Sequence, residues 1–336
     1  FPDMLDVMNG KKRELTQIAT SIGGKNIVVT KRSKPEGKTL DLLVNYKGLE
    51  IEKYSSFGKI GAYYWLLKDD AIISTALSNR GCRGSCDFCT TRHLFGKSVR
   101  SRTIETVVDE MEILRDKYNV EHFMWLDDDL FYNKKRTINL FEEMVKRNLD
   151  ITWDASKGVI ASAIDNEIIN AAEQSGCIGL SIGIESGTPE ILKSVHKPST
   201  IKSIENAGKI LNKYDKIFTK GFLMIGFPDE TVEQLWNTIN LAKRTNLDWY
   251  PMQILTPLPS TKIVEKFKNL KYQKKENKFF AGRLGGLETR GKDRRLNLKV
   301  FENILLKDKN YKPTREEFED IYFLMDWNLN YERILT

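Results

Sequence analysis

The sequence has few of the residues from which secreted scaffolds, membrane proteins and hydrolytic triads are built. Four cysteines stand in 336 residues, three of them grouped, so there is no disulfide framework and a reducing cytoplasm is the expected compartment. No apolar run approaches the ~20 residues of a membrane span, and no signal peptide is visible, so no membrane partner is expected. Only three histidines occur and no Ser-His-Asp arrangement emerges, which leaves acid-base work to carboxylates, Lys or Tyr. The chain opens on Phe1 rather than Met, and the natural N-terminus is expected further upstream.

What is present is ordinary for a globular protein: 40% hydrophobic and 29% charged residues, in a length that suits one large barrel plus an appendage. The net charge of +7 comes largely from lysine. Lys and Glu are mixed along most of the chain, as on solvated helix faces. A nucleic-acid partner is the alternative, with Lys266 to Lys278 as its patch and a surface loop as the plainer explanation of that stretch.

Residues 1–70 read as a lead-in or linker, with a helix over Lys12 to Ile22, a strand over Asn26 to Lys31 and a turn at Ser33 to Gly37. From Ala71 the pattern alternates strands and helices, which argues for a parallel sheet wrapped by helices. Strands are expected over Ala71 to Ser78, His122 to Leu126, Ile151 to Ala155, Ile178 to Ile182, Lys216 to Ile225 and Asp248 to Leu255. Helices are expected over Thr103 to Tyr118, Lys134 to Asn148 and Asp165 to Ser175, the last ended by Gly176. Cys177, at the start of a buried strand, reads as a small core residue. Beyond Lys262 the alternation stops. Pro313 to Glu317 forms a capping box for a helix with Phe318, Ile321, Tyr322 and Met325 on one face. Trp327 and Tyr331 are read as core. The expected units are therefore 1–70, a barrel over 71–265, and a C-terminal appendage over 266–336 that closes the barrel mouth.

The most informative stretch is Ser78-Asn79-Arg80-Gly81-Cys82-Arg83-Gly84-Ser85-Cys86-Asp87-Phe88-Cys89. Three cysteines spaced Cys-x-x-x-Cys-x-x-Cys leave a strand in a loop where Gly81 and Gly84 permit sharp turning. A structural zinc site wants four closed ligands, and His93 offers a fourth for a non-catalytic zinc module. A cluster held by three thiolates instead leaves one iron open. This spacing resembles that of the radical S-adenosylmethionine (SAM) superfamily. The resemblance implies a [4Fe-4S] cluster on Cys82, Cys86 and Cys89 whose open iron chelates SAM. One electron then cleaves SAM to methionine and a 5'-deoxyadenosyl radical.

Further elements follow in the order of that family. Asp127-Asp128-Asp129 ends the second strand, where polar groups line a barrel mouth. Their mutual repulsion leaves at least one pointing to solvent or capping the next helix. The resemblance implies contact with the methionyl ammonium of SAM through Asp128 or Asp129. Gly183-Ile184-Glu185-Ser186-Gly187 resembles the ribose-binding strand end, with Glu185 and Ser186 as candidates, and Lys197 is a candidate for the SAM carboxylate. Phe88 and Ile225 are the adenine candidates, Phe88 mostly through its backbone. Glu230 is read as serving a helix N-terminus.

The fold implied is α/β, a partial (β/α)6 TIM-like barrel of the radical SAM type with an N-terminal extension and a helical C-terminal appendage. Leu40 through Tyr54 and the Pro257-Leu258-Pro259-Ser260-Thr261 run are similar to the cobalamin-dependent subgroup, which implies a methyltransferase or tailoring enzyme and cobalamin as a further cofactor. A Rossmann-type cobalamin domain runs to roughly 100 residues or more, so it would lie upstream of Phe1 or on a partner. The expected partners are a small-molecule or biosynthetic-intermediate substrate and a reductant such as flavodoxin or ferredoxin. A methylthiotransferase acting on RNA or protein is the other enzymatic reading.

Overall fold

The computed structural model describes residues 9–11, 19–22, 26–29, 34, 37–56, 61–268 and 308–331. The chain divides into two compact units, Phe1–Leu42 and Leu43–Thr336. In the first, strands β1 (Ala19–Ile22) and β2 (Asn26–Val29) pair antiparallel, with Ile22 opposite Asn26. This corrects the expected helix over residues 19–22; residues 12–18 lie outside the described residues. The β-branched Thr20 and Ile22 in β1, and Ile27, Val28 and Val29 in β2, favour strands over a helix.

The second unit opens with helix α1 (Ile51–Ser56) and is built on six parallel strands: β3 (Ile73–Ala76), β6 (His122–Trp125), β7 (Thr152–Val159), β8 (Cys177–Glu185), β9 (Phe218–Ile225) and β10 (Met252–Ile254). They lie side by side in chain order, β3-β6-β7-β8-β9-β10, every neighbouring pair parallel. This is the partial six-strand barrel that the alternation predicts. A short antiparallel ladder, β4 (Asn79–Arg80) with β5 (Arg100–Ser101), brackets the cysteine loop between β3 and β6. That loop also holds helix α2 (Thr91–Phe95). The outer layer comprises α3 (Ile104–Tyr118), α4 (Lys134–Lys146), α5 (Asn166–Gln174), α6 (Pro189–Ser194), α7 (Ile201–Leu211) and α8 (Val232–Thr245).

Caps set these helices where the sequence signals them. Thr103, Asn133, Asp165, Thr200 and Thr231 each accept a backbone N–H from the first turn, satisfying donors the helix cannot. Gly176 ends α5 with φ +96°, and a Cβ there would lie 2.1 Å from the Ile151 carbonyl oxygen. The core fills the space between sheet and helices. Trp153 stacks on Phe141 at 4.8 Å and meets Trp125 edge-on at 6.2 Å, while Val108, Met111, Leu140 and Ile169 are buried around them. Cys177 belongs to this core.

The other strand faces line the barrel interior, and here the chain departs from the aliphatic filling usual in such barrels. Buried His122 bridges Thr152 (2.8 Å) and Asp154 (2.9 Å). Tyr63, from the segment before β3, is wholly buried. Its ring occupies the space that a Cβ on Gly179 would take, at 2.5 Å, and its hydroxyl meets Ser181 at 2.9 Å. The Lys220 ammonium sits 3.9 Å above that ring and donates to the Ala62 carbonyl; burial pushes its pKa down to about 8. This end of the barrel is stoppered by residues 61–65.

After β10 come α9 (Ile263–Lys268) and α10 (Arg315–Asp326). Thr314 and Glu317 cap α10 reciprocally, and Phe318, Ile321, Met325 and Leu329 fill its contact with the core. That apolar face is complete without Trp327 and Tyr331, which are 57% and 40% exposed, stacked on one another at 5.8 Å; they are surface residues, not core as expected. Of the Lys266–Lys278 patch only residues 266–268 are described, and Lys266 is tied inward, 3.2 Å from Asp87.

Candidate active site

The site gathers at the C-terminal ends of the strands. Gly81 turns the chain with φ +92°, its Cα hydrogen facing the Ser98 carbonyl so closely that a Cβ would lie 2.4 Å from that oxygen. Gly84 is needed for space instead. A Cβ there would meet Cys82 Sγ at 3.3 Å and Cys86 Sγ at 3.8 Å, and its N–H donates to Cys82 Sγ at 3.2 Å. Cys82 and Cys86 are half-buried, Cys89 is exposed, and none is in a disulfide. Burial pushes the Cys82 thiol up to about 11, with Asp129 adding to the rise, and the Cys86 thiol up to about 12 against the pull of Lys197. Without metal both hold their protons at neutral pH, so metal binding must expel them.

This donor set fits an iron-sulfur cluster better than a single ion. Among the described residues no three His, Cys, Asp or Glu side chains converge on one point as an ion requires. A cubane cluster binds each thiolate through a different iron, so its sulfurs must stand apart around a shared space. The loop supplies three. His93 sits on α2, exposed, and does not complete a four-ligand zinc site with the cysteines in this arrangement.

Asp87, inside the cysteine loop, is a residue the sequence did not single out. Its buried carboxylate takes His196 Nδ1 at 2.9 Å and Lys266 at 3.2 Å. Its backbone receives Ile263 N–H and donates to the Val195 carbonyl. One residue thus pins the cysteine loop to the α6–α7 connection and to α9.

The three adjacent aspartates divide. Asp127 is buried and accepts the Ser78 N–H (2.9 Å) and Ser78 hydroxyl (2.5 Å), locking the end of β3 to the end of β6; burial raises its pKa to about 6. Asp128 lies 3.6 Å from Lys157. Asp129 is fully buried, held by the Arg83 side chain (3.1 Å) and backbone N–H (3.2 Å), and its Oδ1 has no partner. None caps the next helix, a role taken by Asn133. Both Asp128 and Asp129 act electrostatically on Cys82.

Glu185, at the end of β8, has φ +66° and accepts from Lys197 Nζ at 2.6 Å, both side chains nearly buried. Burial alone would lower the Lys197 pKa; Glu185 and Cys86 outweigh it and raise the value. Gly183 makes room for the pair, since a Cβ would lie 2.5 Å from Lys197 Nζ. Ser186 is turned from this group: its oxygen accepts the Thr188 N–H (3.2 Å) and faces Thr238 on α8.

Phe88 packs with Met224, Phe227 and Leu255 in a small separate cluster, edge-on to Phe227 at 6.5 Å. Ile225 belongs instead to the main core. Strand alternation is the signal that distinguishes them: residues 218, 220, 222 and 224 share one face of β9, so Met224 and not Ile225 stands with Phe88. Glu230 is also placed differently from the expectation. It is buried and accepts Gly226 N–H (2.6 Å) and Phe227 N–H (3.2 Å), bracing the turn after β9 rather than a helix N-terminus. Desolvation lifts its pKa to about 8.

The sequence pattern of the radical SAM superfamily matches residues 77–242. An uncharacterized methyltransferase of Pyrococcus horikoshii is 34% identical over 197 residues, 59% of this chain and 42% of that one. Bacteriochlorophyllide d C-12(1)-methyltransferase of Chlorobaculum tepidum is 30% identical over 249 residues, 70% of this chain and 54% of that one. The chain therefore spans about half the length of these relatives. Among solved structures, the radical SAM methyltransferase TsrM from Kitasatospora setae, with cobalamin and a [4Fe-4S] cluster bound, superposes with a TM-score of 0.53 at 20% identity, over 58% of this chain and 39% of that one. Among the described residues no helix is long and apolar enough to cross a membrane.

Proposed function

Residues 77–242 are a radical SAM domain, and from that premise we propose that this chain is the catalytic core of a cobalamin-type radical SAM methyltransferase or related tailoring enzyme acting on a small molecule. One observation carries the reading: three unbridged cysteines on one loop at the C-terminal edge of a six-strand parallel barrel, with carboxylates and a buried lysine beside them. When bound, a [4Fe-4S] cluster supplies the electron that cleaves SAM into methionine and a 5'-deoxyadenosyl radical.

The chain's own residues supply ligation, orientation and exclusion of water. Cys82, Cys86 and Cys89 give three thiolates. The unpartnered Oδ1 of Asp129 is a ready acceptor for an ammonium, and Asp128 neighbours it. Glu185 is an acceptor suited to ribose hydroxyls, and Lys197 is a cation suited to a carboxylate. In the ligand-free protein these two neutralise each other, so ligand binding exchanges one ion pair for two new contacts. Phe88, Met224 and Phe227 provide an apolar wall for an adenine. Cobalamin is assigned to a domain outside residues 1–336, in keeping with the length of the relatives.

Anaerobic reconstitution tests the proposal. The expected protein is brown, binds about four irons and yields 5'-deoxyadenosine from SAM with dithionite. A colourless protein that binds zinc and no iron would overturn it.

A further inference from the structure

Above the Tyr63 stopper the inward face of the sheet changes character. Residues paired across neighbouring parallel strands turn to the same side. Thr75 on β3 stands opposite Met124 on β6, Phe222 on β9 opposite Gly183 on β8, and Gln253 on β10 opposite Met224 on β9. The intervening Phe123, Leu223 and Met252 lie in the core beneath the helices, so these positions face the barrel interior. Nearer the floor on the same strands, His122 and Lys220 are 1% and 7% exposed. Met124 and Phe222 are half-buried, and Thr75 and Gln253 are exposed although they stand in mid-strand. Accessibility that rises in this way from floor to mouth is the profile of an open cup with Tyr63 in its base.

The wall of the cup is soft and uncharged. Met124 and Met224 are unbranched, polarisable thioethers, which conform to irregular apolar surfaces. The Phe222 ring lies against Gly158, where a Cβ would meet it at 3.1 Å, so the ring is seated on the wall at β7. Among the described residues the inward-facing charges already have partners: Asp154 has His122, Lys220 has the Tyr63 ring and the Ala62 carbonyl, Asp128 has Lys157, and Glu185 has Lys197. Asp128, Glu185 and Lys197 stand at the rim, in the group assigned above to SAM. A charged group entering the cup would lose its hydration and meet no free counter-charge, which is costly. What is left unspent is neutral. The Thr75 hydroxyl and the Gln253 amide have no hydrogen-bond partner among the described residues, and they sit on β3 and β10, the two end strands of the sheet.

We infer that this cup receives the reacting group of the substrate, and that the group is an uncharged hydrocarbon portion, aliphatic or aromatic, whose neutral oxygen or nitrogen atoms hydrogen-bond to Thr75 and Gln253. This rests on reading the cysteine loop as a cluster site, and it narrows the small molecule of that reading to one whose reacting end is apolar. Met124 and Phe222 set the breadth of the group that fits, and Thr75 and Gln253 set its orientation. Substrates whose reacting carbon adjoins an ammonium, a carboxylate or a phosphate are not accommodated, because the charge would be carried into the cup with the carbon. An ionised group on the same molecule is held only outside the rim.

The experiment uses iron-loaded full chain with SAM and no reductant, so that the rim is filled and nothing turns over. It follows Nile red, a neutral dye whose emission shifts to the blue in an apolar site, and its displacement by naphthalenes that share one body: naphthylmethanol, methylnaphthalene, naphthoate and naphthylmethylammonium. The alcohol is expected to displace the dye at concentrations about tenfold lower than either ion. Thr75→Val and Gln253→Leu are each expected to weaken the alcohol about fivefold and to leave methylnaphthalene unchanged. Met124→Asp is expected to weaken dye binding about tenfold with bound iron and SAM affinity at wild-type values, which places the dye in the cup. Trp327→Ala, on the exposed surface, is expected to change nothing. Should Met124→Asp fail to fold, Thr75→Val carries the test, since valine has nearly the shape of threonine. A brown, SAM-binding protein that takes up no dye, or whose dye is indifferent to the cup variants, or for which an ion matches the alcohol, overturns the inference while leaving the cluster reading intact. A colourless chain that takes up no iron overturns both.

Discussion

The two ends of the barrel are made from the same six strands and solve opposite problems. At the stoppered end His122, Asp154, Tyr63 and Ser181 are buried and all have hydrogen-bond partners within the chain, as buried polar groups must to avoid a desolvation cost. At the mouth, Asp129 Oδ1, Glu230 Oε1 and Asn79 Oδ1 are buried without partners. Left-handed backbone does not separate the ends: Glu185 and Asp229 adopt it at the mouth, and Asn119, Asn148, Asp150 and Asn246 adopt it in the loops that lead into strands at the other end. One end is finished as a core; the other is incomplete until something binds. The unmet carboxylate oxygens at the mouth point to function there without reference to any motif, because buried acceptors ordinarily find partners.

Substitutions at each end should therefore fail in different ways. The largest effect is at the mouth: Cys82→Ala is expected to abolish 5'-deoxyadenosine formation and cut bound iron, with Tm nearly unchanged because the thiol is only half-buried. A collapse of Tm in the iron-free variant would erase the contrast between the ends. At the stoppered end, Gly179→Ala drives a methyl into the Tyr63 ring and should destabilise by about 3 kcal/mol, read by urea unfolding.

Glu230→Gln sharpens the comparison through pH. The folded state lifts this carboxyl from 4.5 to about 8 and so retains its proton where the unfolded chain has lost it. That stability is complete below the unfolded value and disappears as pH rises through about 8. Wild type should lose about 2 kcal/mol between about pH 6 and about pH 9 that the Gln variant does not; parallel curves would show Glu230 to be ionised. The smallest effect is expected from Tyr63→Phe, which removes the Ser181 hydrogen bond and should cost about 1 kcal/mol while leaving SAM affinity alone.

Legibility followed the same division. Strand order, the helix starts near Thr103 and Asp165, and the Thr314–Glu317 box could be read because each depends on neighbours in sequence. So could the cysteine spacing. Asp87 could not, because its partners His196 and Lys266 lie over a hundred residues away and no local pattern couples them. Asp128 and Asp129 were singled out over Asp127, but the role of Asp127 in joining the ends of β3 and β6 through Ser78 was not readable, since its partner lies 49 residues away. Ile225 was chosen by motif position, whereas alternation along β9 selects Met224. The helix expected at residues 19–22 failed because Ala19–Ile22 pairs with Asn26–Val29, and the β-branched Thr20 and Ile22 favour that strand over a helix read from apolar spacing in isolation.

Tyr63 also places a demand on how the chain is made. Its seat is built by Gly179, Ser181 and Lys220, the serine 118 residues further along. On the ribosome the stopper emerges early and its socket late, so Tyr63, wholly buried in the folded chain, waits in water until β9 has been synthesised. Closure that depends on so distant a partner is slow, and apolar surface left bare in the interval invites aggregation. Vectorial synthesis thus makes the barrel floor one of the last joints to set, and a pause before residue 220 is where a nascent chain would most need a chaperone.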